Sequence, residues 1–137
     1  MITIGIDQSL NNSGITVIGE GKPPSHFSII PDKKVQSGID RLCYDVTAIC
    51  EIVRGVIEKE IENGETNFLI CREDYAYGSS NSCNTFTLGE LGGAINFNLY
   101  QMFFGRKDIN IRYDHFNISG TIFHGSFHPS LKRRSLH

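Results

Sequence analysis

The sequence predicts an α/β fold built on a mixed sheet, and three observations carry that expectation. Apolar residues alternate with small or polar ones at Ile2, Ile4 and Ile6, and the pattern resumes at Ile15, Val17 and Ile18, as in half-buried strands. From Ser37 the apolar residues recur at spacings of three and four, the period of a helix. Beyond that helix, Asn67-Phe68-Leu69-Ile70-Cys71 is apolar almost throughout, as expected of a strand covered on both faces in a mixed or parallel sheet.

The first two strands are joined by Ser9 to Gly14. Serines, two asparagines and a glycine there supply local hydrogen bonds and the backbone freedom that a tight reversal needs. Asp7 stands at the carboxyl end of the first strand, where a charge interrupts a run that would otherwise bury well. Such local rule-breaking is expected at functional sites, although an Asp that only starts a turn fits this stretch equally well. Gly19 to Ser25 carries two glycines and two prolines and reads as a loop. His26 to Ile30 is then a short third strand, ended by Pro31-Asp32, which completes an antiparallel meander.

The long helix has Ile39, Leu42, Val46, Ile49, Val53, Val56 or Ile57, and Ile61 as its stripe. Asp40, Arg41, Asp45, Glu51, Arg54, Glu58 and Lys59 fall mostly elsewhere, Ser37 suits the N-cap, and Asn63-Gly64 is a stop signal. The next strand runs straight into Arg72-Glu73-Asp74, so a second buried strand delivers carboxylates at its carboxyl end. A polar loop with Tyr75 and Tyr77 follows. A second helix is expected over Thr85 to Phe104, with Leu88, Leu91, Ile95, Leu99 and Met102 or Phe103 as its stripe. Gly89, Gly92 and Gly93 each cost roughly 1 kcal/mol relative to Ala inside a helix. That cluster implies a close approach, either to the sheet or to a ligand, and tight packing is the simpler reason. Asp108 to Tyr113 reads as a final strand. Asp114 to His137 shows no sustained period, so the expected division is a domain over 1–113 and an irregular, basic, histidine-rich segment over 114–137.

A chain of 137 residues accommodates one compact domain, and 39% apolar with 20% charged residues is a globular composition. The net charge of −2 hides an asymmetry: residues 1–105 sum to −6 and residues 106–137 to +4, with four of the five histidines in the latter. A basic end on an acidic body suits a polyanionic partner, and it equally suits a solvated tail. Cys43, Cys50 and Cys71 read as small core residues and Cys83 as a loop residue, with no C-x-x-C pair and no secretory leader. No apolar run reaches the roughly 20 residues that span a bilayer. A cytoplasmic protein with no membrane partner is the expectation.

If the two carboxylate-bearing strands are neighbours, Asp7 and Glu73 come together. Paired carboxylates either share a proton or hold a hard cation through oxygen ligands. Mg²⁺ suits few carboxylates, since it keeps several waters and takes phosphate oxygens as further ligands. The bland alternative has Asp7 capping a turn and Glu73 pairing with Arg72 or a lysine.

Ile4-Gly5-Ile6-Asp7-Gln8-Ser9-Leu10 with Ser13-Gly14, then Glu73-Asp74-Tyr75-Ala76-Tyr77-Gly78-Ser79 and Leu88-Gly89-Glu90-Leu91-Gly92-Gly93, resembles the RuvC family of Holliday junction resolvases. The likeness is to its phage and bacterial branch and covers residues 1 to about 105. It implies a ribonuclease H-like fold, a homodimer, Mg²⁺ or Mn²⁺ as cofactor, and cleavage of four-way junctions and other branched DNA. By the resemblance Asp7 and Glu73 are catalytic metal ligands, with Asp74 a further candidate ligand. Ser9, Asn11, Asn12, Tyr75, Tyr77 and Ser79 are expected to approach DNA, the tyrosine rings offering stacking surface to unpaired bases. Lys132, Arg133 and Arg134 are expected on phosphates.

The sequence also departs from that family. Its members carry further carboxylates, or a histidine, on a late helix with an Asp-x-x-Asp-like spacing. Here Pro129-Ser130-Leu131-Lys132-Arg133-Arg134 is followed by Ser135-Leu136-His137, and no catalytic helix of that spacing is expected in this sequence. Asp108, Asp114, His115, His124 and His128 are the late polar candidates. Three rival readings follow: a non-catalytic binder of branched or single-stranded nucleic acid on the same fold, a fragment of the actin-like ATPase and sugar kinase superfamily, and a purely structural domain. The second needs another domain to enclose a nucleotide, which this length does not hold.

Overall fold

In this computed structural model the described residues are 1–9, 11–32, 34, 38–73, 82–116 and 122–126, with the backbone alone for 82–88, 115–116 and 122–126. The meander forms from β1 (Ile2–Asp7), β2 (Ser13–Gly19) and β3 (Ser25–Ile29), and α1 (Gly38–Glu62) leads to β4 (Asn67–Glu73). Next come α2 (Ser82–Phe103), β5 (Asn110–Phe116) and β6 (Ile122–Ser126). The six strands make one sheet in the order β3-β2-β1-β4-β5-β6. β1 pairs antiparallel with β2 and β2 with β3, whereas β1–β4 and β4–β5 are parallel and β5–β6 is antiparallel. The expected mixed sheet flanked by helices is therefore present.

Both crossovers, β1 through the meander and α1 to β4 and then β4 through α2 to β5, step in the same direction across the sheet. Right-handed connections then put both helices on one face. The core agrees: Ile2, Ile4 and Ile6 of β1, Phe68 and Ile70 of β4, and Ile111 and Tyr113 of β5 bury against Val46, Ile49, Val53 and Ile57 of α1 and Leu91, Ile95, Leu99 and Phe103 of α2. Each such side chain contributes about 1.5–3 kcal/mol when fully buried. Because strand side chains alternate, residues 3, 5 and 7 of β1 and 69, 71 and 73 of β4 point to the other face. Among the described residues no helix covers that face.

The stop of α1 follows its sequence signal. Gly64, at φ +92°, donates its N–H to the Ile61 carbonyl, and Glu65 donates to the Glu60 carbonyl, so two otherwise orphaned carbonyls are paired. The N-cap expected at Ser37 lies outside the described residues.

Several expectations are corrected. Among the described residues the helices cover β4 on one face only: Phe68, Ile70 and Arg72 are buried, while Leu69, Cys71 and Glu73 are half-buried. Cys71 is therefore not a core residue. β5 continues through Phe116 and β6 pairs with it, so strands occupy residues that were expected to be irregular. Both are held by ladder bonds that an aperiodic sequence does not announce. Residues 127–137 lie outside the described residues.

On α1, Ile39 lies in line with the stripe yet is 66% exposed, because the core does not reach the first helical turn. Cys43 and Asp45 lie on opposite flanks of that stripe, each about 80° from Val53 at 3.6 residues per turn. The fold leaves Cys43 exposed and buries Asp45 completely. Neither Asp45 carboxylate oxygen has a hydrogen-bond partner among the described residues. Desolvation raises the Asp45 pKa, and the Arg41 guanidinium only partly opposes it.

A raised carboxyl pKa means that the folded chain holds the proton more tightly than the unfolded one. Stability from this group is thus fully present below its ordinary value of 3.8 and is lost as pH rises through the folded value. Asp45→Asn removes this term. It is expected to raise stability at pH 7 by roughly 1–2 kcal/mol, the scale of one desolvated polar group, and to flatten the decline between acid and neutral pH. Urea denaturation at pH 4 and pH 7 checks this; an equal destabilisation at both values would contradict it.

Candidate active site

Asp7 ends β1 and Glu73 ends β4. The parallel register pairs Gly5 with Cys71 and Ile6 with Arg72, and one residue further it sets Asp7 beside Glu73. Adjacent strands stand about 4.8 Å apart, so two acidic side chains leave neighbouring positions on the same face, the one away from the helices. Asp7 is exposed and Glu73 half-buried. Together they border an open cleft of about 410 Å³ whose floor is Gly5, Gly14, Thr16 and Cys71. A Cβ at Gly14 would meet no atom within 4 Å, and one at Gly5 would only touch the Thr16 carbonyl at 3.9 Å. The glycines therefore relieve no clash; they leave the floor low.

Two carboxylates bordering one open cleft supply the hard oxygen donors that a divalent ion needs while it keeps several waters. The donor set thus fits Mg²⁺ or Mn²⁺, with Asp7 and Glu73 as the residues that would hold it. Among the described residues, no group of three or more His, Cys, Asp or Glu side chains converges on a common point. Asp114 stands on the same face without joining the pair. It pairs with Cys71 across β4–β5 and so shares the face, one step back from Glu73. It is 8% exposed, does not line the cleft, and faces the Arg112 guanidinium at 3.5 Å.

Polar groups hold the backbone under this pair. Gln8, 9% exposed, donates from Nε2 to the main-chain carbonyl of Glu73, tying the end of β1 to the end of β4. Arg72 donates to the same carbonyl from Nη1 at 3.0 Å. Arg72 is 3% exposed and points under α2, where its Nε donates to Asn96 Oδ1 at 3.0 Å and to the Tyr113 hydroxyl oxygen at 2.7 Å. The Tyr113 hydroxyl in turn donates to Asn96 Oδ1. This network explains one of the helix glycines. A Cβ on Gly92 would stand 2.6 Å from Arg72 Nη1, whereas one on Gly93 would meet nothing. The close approach inferred from the glycine cluster is that of a side chain of the sheet.

The β1–β2 turn is closed by its own side chains. Ser13, fully buried, accepts from the Ser9 N–H at 3.0 Å and donates to the Ser9 carbonyl at 2.8 Å. Ser9 Oγ accepts from the Asn11 N–H at 3.2 Å, and Asn11 Oδ1 accepts from Arg41 of α1 at 2.7 Å. Asn11 and Asn12 are exposed beside the carboxylates' end of the sheet. Asp74, Tyr75, Tyr77, Ser79, Lys132, Arg133 and Arg134 lie outside the described residues. Sequence reasoning missed Gln8, Ser13 and Arg72 as structural partners of the site. Only Arg72 carried a signal, a cation at a position whose strand alternation points to the core.

A mixed sheet of this order with both crossover helices on one face is the ribonuclease H-like fold, and its two strand-end carboxylates sit between the first and fourth strands. Comparison with solved structures agrees. The chain is similar to Thermus thermophilus RuvC in complex with a Holliday junction substrate, with a TM-score of 0.56 at 10% identity over 87% of this chain and 66% of that one. It is also similar to another Thermus thermophilus RuvC structure, with a TM-score of 0.56 at 13% identity over 85% of this chain and 64% of that one. The chain thus spans slightly under two thirds of the RuvC chains it matches. No protein-family model and no curated protein sequence matches it.

Ser13→Ala is expected to lower stability by about 1 kcal/mol, because it leaves the Ser9 N–H without its partner. The check is a urea titration, which should show an earlier midpoint with an unchanged slope.

Proposed function

We propose that this chain is a structure-selective nuclease of the Holliday junction resolvase type, acting on four-way or otherwise branched DNA with Mg²⁺ or Mn²⁺, as a homodimer in the cytoplasm. The observation that carries the reading is the placement of Asp7 and Glu73 side by side at the carboxyl ends of adjacent parallel strands, over a low floor that none of the described helices covers. The RuvC likeness supports the fold on which that reading rests, and one of the solved neighbours holds a Holliday junction.

A divalent ion held by Asp7 and Glu73 would supply positive charge to a phosphate oxygen and would acidify a water. The chain's own part is placement. Asp7 offers an exposed carboxylate, Glu73 a half-buried one on a backbone held by Gln8 and Arg72, and the bare floor leaves room for a sugar-phosphate strand. The basic segment with Lys132, Arg133 and Arg134 adds phosphate contacts, which give most of the affinity in DNA binding and little sequence information.

One observation favours a second reading, a binder of branched DNA that cuts slowly or not at all. Among the described residues no third acidic or histidine side chain joins Asp7 and Glu73. Two-ion hydrolysis needs more ligands than two carboxylates provide.

The experiment is a labelled four-way junction incubated with Mg²⁺, Mn²⁺ or chelator, alongside thermal unfolding with and without the ion. Ion at a hundred times its dissociation constant should stabilise the wild type by about 2.7 kcal/mol, and Asp7→Asn and Glu73→Gln should each abolish most of that gain. Ion-dependent symmetric cleavage supports the nuclease. Tight junction binding without cleavage supports the binder, and cleavage that persists in chelator sinks the metal mechanism.

Triple replacement of Lys132, Arg133 and Arg134 by Ala should weaken binding and flatten the dependence of log K on log salt. The expected change in slope is roughly 0.9 for each phosphate that the basic side chains neutralise on duplex DNA. An unchanged slope would remove the basic segment from the interface.

A further inference from the structure

We propose that Arg72 is a positioning residue: its Nη1 donor, acting with Gln8 Nε2 on the Glu73 main-chain carbonyl, fixes where the Glu73 carboxylate stands relative to Asp7. This rests on reading Glu73 as an ion ligand.

The two donors come from different strands. Gln8 reaches across from the end of β1, next to Asp7 itself, and Arg72 reaches up from the core face of β4. A carbonyl held by both cannot rotate without losing one, so the peptide that carries Glu73 is fixed to the strand that carries Asp7. Arg72 is itself held. Its Nε is shared between Asn96 of α2 and Tyr113 of β5, so the guanidinium joins a helix, a neighbouring strand and the acidic position. Fixing a ligand through its surroundings typically changes metal affinity or activity 10–100-fold when the support is removed.

Gly92 makes this inference separable from general stability. Its missing side chain is the notch that admits Nη1, the atom that donates to Glu73. Arg72 is buried, so its guanidinium cannot swing into solvent to escape an added methyl group. Gly92→Ala should therefore displace that one donor, while alanine also favours the helix. Gly93→Ala gains the same helix propensity next door, in open space, and leaves Arg72 in place.

The test is calorimetric titration of the full chain with Mn²⁺ alone, with thermal unfolding of the ion-free protein alongside. Gly92→Ala and Arg72→Met are expected to bind Mn²⁺ roughly tenfold more weakly than wild type, Arg72→Lys to recover part of the loss through its ammonium group, and Gly93→Ala to match wild type. Gln8→Met, which removes the other donor from a different strand, should resemble Gly92→Ala and decides the matter if the latter does not fold. Equal Mn²⁺ affinity in wild type, Gly92→Ala and Gln8→Met overturns the positioning role while leaving the ion site standing. Failure of the wild type to bind Mn²⁺ overturns the ion reading itself, and with it this role.

Discussion

The parallel register of β1 against β4 is the constraint on which the rest of the structure depends. Ile4 pairs with Ile70, and both are fully buried under the helices. Because side chains alternate along a strand, a slip of one residue would send β4's apolar set to the open face and turn Glu73 toward the core. An unpaired carboxylate there costs several kcal/mol, and exposing Phe68 and Ile70 forfeits about 1.5–3 kcal/mol each. The packing of two isoleucines thus decides that Asp7 and Glu73 emerge together. No contact between the two acids is needed to place them.

Chain direction supplies the second half of the arrangement. From β1 the chain turns back into β2 on one side, and later returns through α1 to β4 on the other side. The gap between β1 and β4 is therefore where connections diverge, and in open α/β sheets such a gap at the carboxyl ends of parallel strands is where ligands bind. Both helices lie on the opposite face, so nothing among the described helices competes for the space over Gly5, Gly14, Thr16 and Cys71. The meander and the crossovers together make an open, acidic, low-floored cleft out of ordinary strand geometry.

How much of this was legible in the sequence depends on whether the signal was periodic. The alternation in β1, the stripe of α1 from Val46 to Ile57 and that of α2 from Leu91 to Phe103 all read directly, and each period reports a buried face. Asp7 and Glu73 were legible as charges ending apolar runs. Asp45 and Cys43 were not, because they flank the stripe at equal angles and only the tertiary fold decides which flank is covered. The second cover expected over β4 was misread for a related reason: Leu69 and Cys71 extend the apolar run, although their face has no helix among the described residues. β6 escaped because a short strand with no alternation exists only through pairing with β5.

Arg72 and Asp45 show why rule-breaking alone does not mark a site. Both are charged side chains that the fold buries, at 3% and 0% exposure, and both contradict the composition of their surroundings. Asp45 has no hydrogen-bond partner for either oxygen among the described residues, and its effect is a desolvation cost that burial imposes and pH modulates. Arg72 has donors spent on Asn96, Tyr113 and the Glu73 carbonyl, and a glycine opposite, where a Cβ would stand 2.6 Å from its Nη1. A satisfied buried network fixes one geometry, because any alternative leaves a polar group unpaired in low dielectric. What separates the two is where their partners lead: Arg72's hydrogen bonds reach the backbone of a residue that faces the cleft, whereas the Asp45 carboxylate makes none among the described residues. A charge in the core therefore points to function when its satisfied partners converge on a group exposed at a cleft.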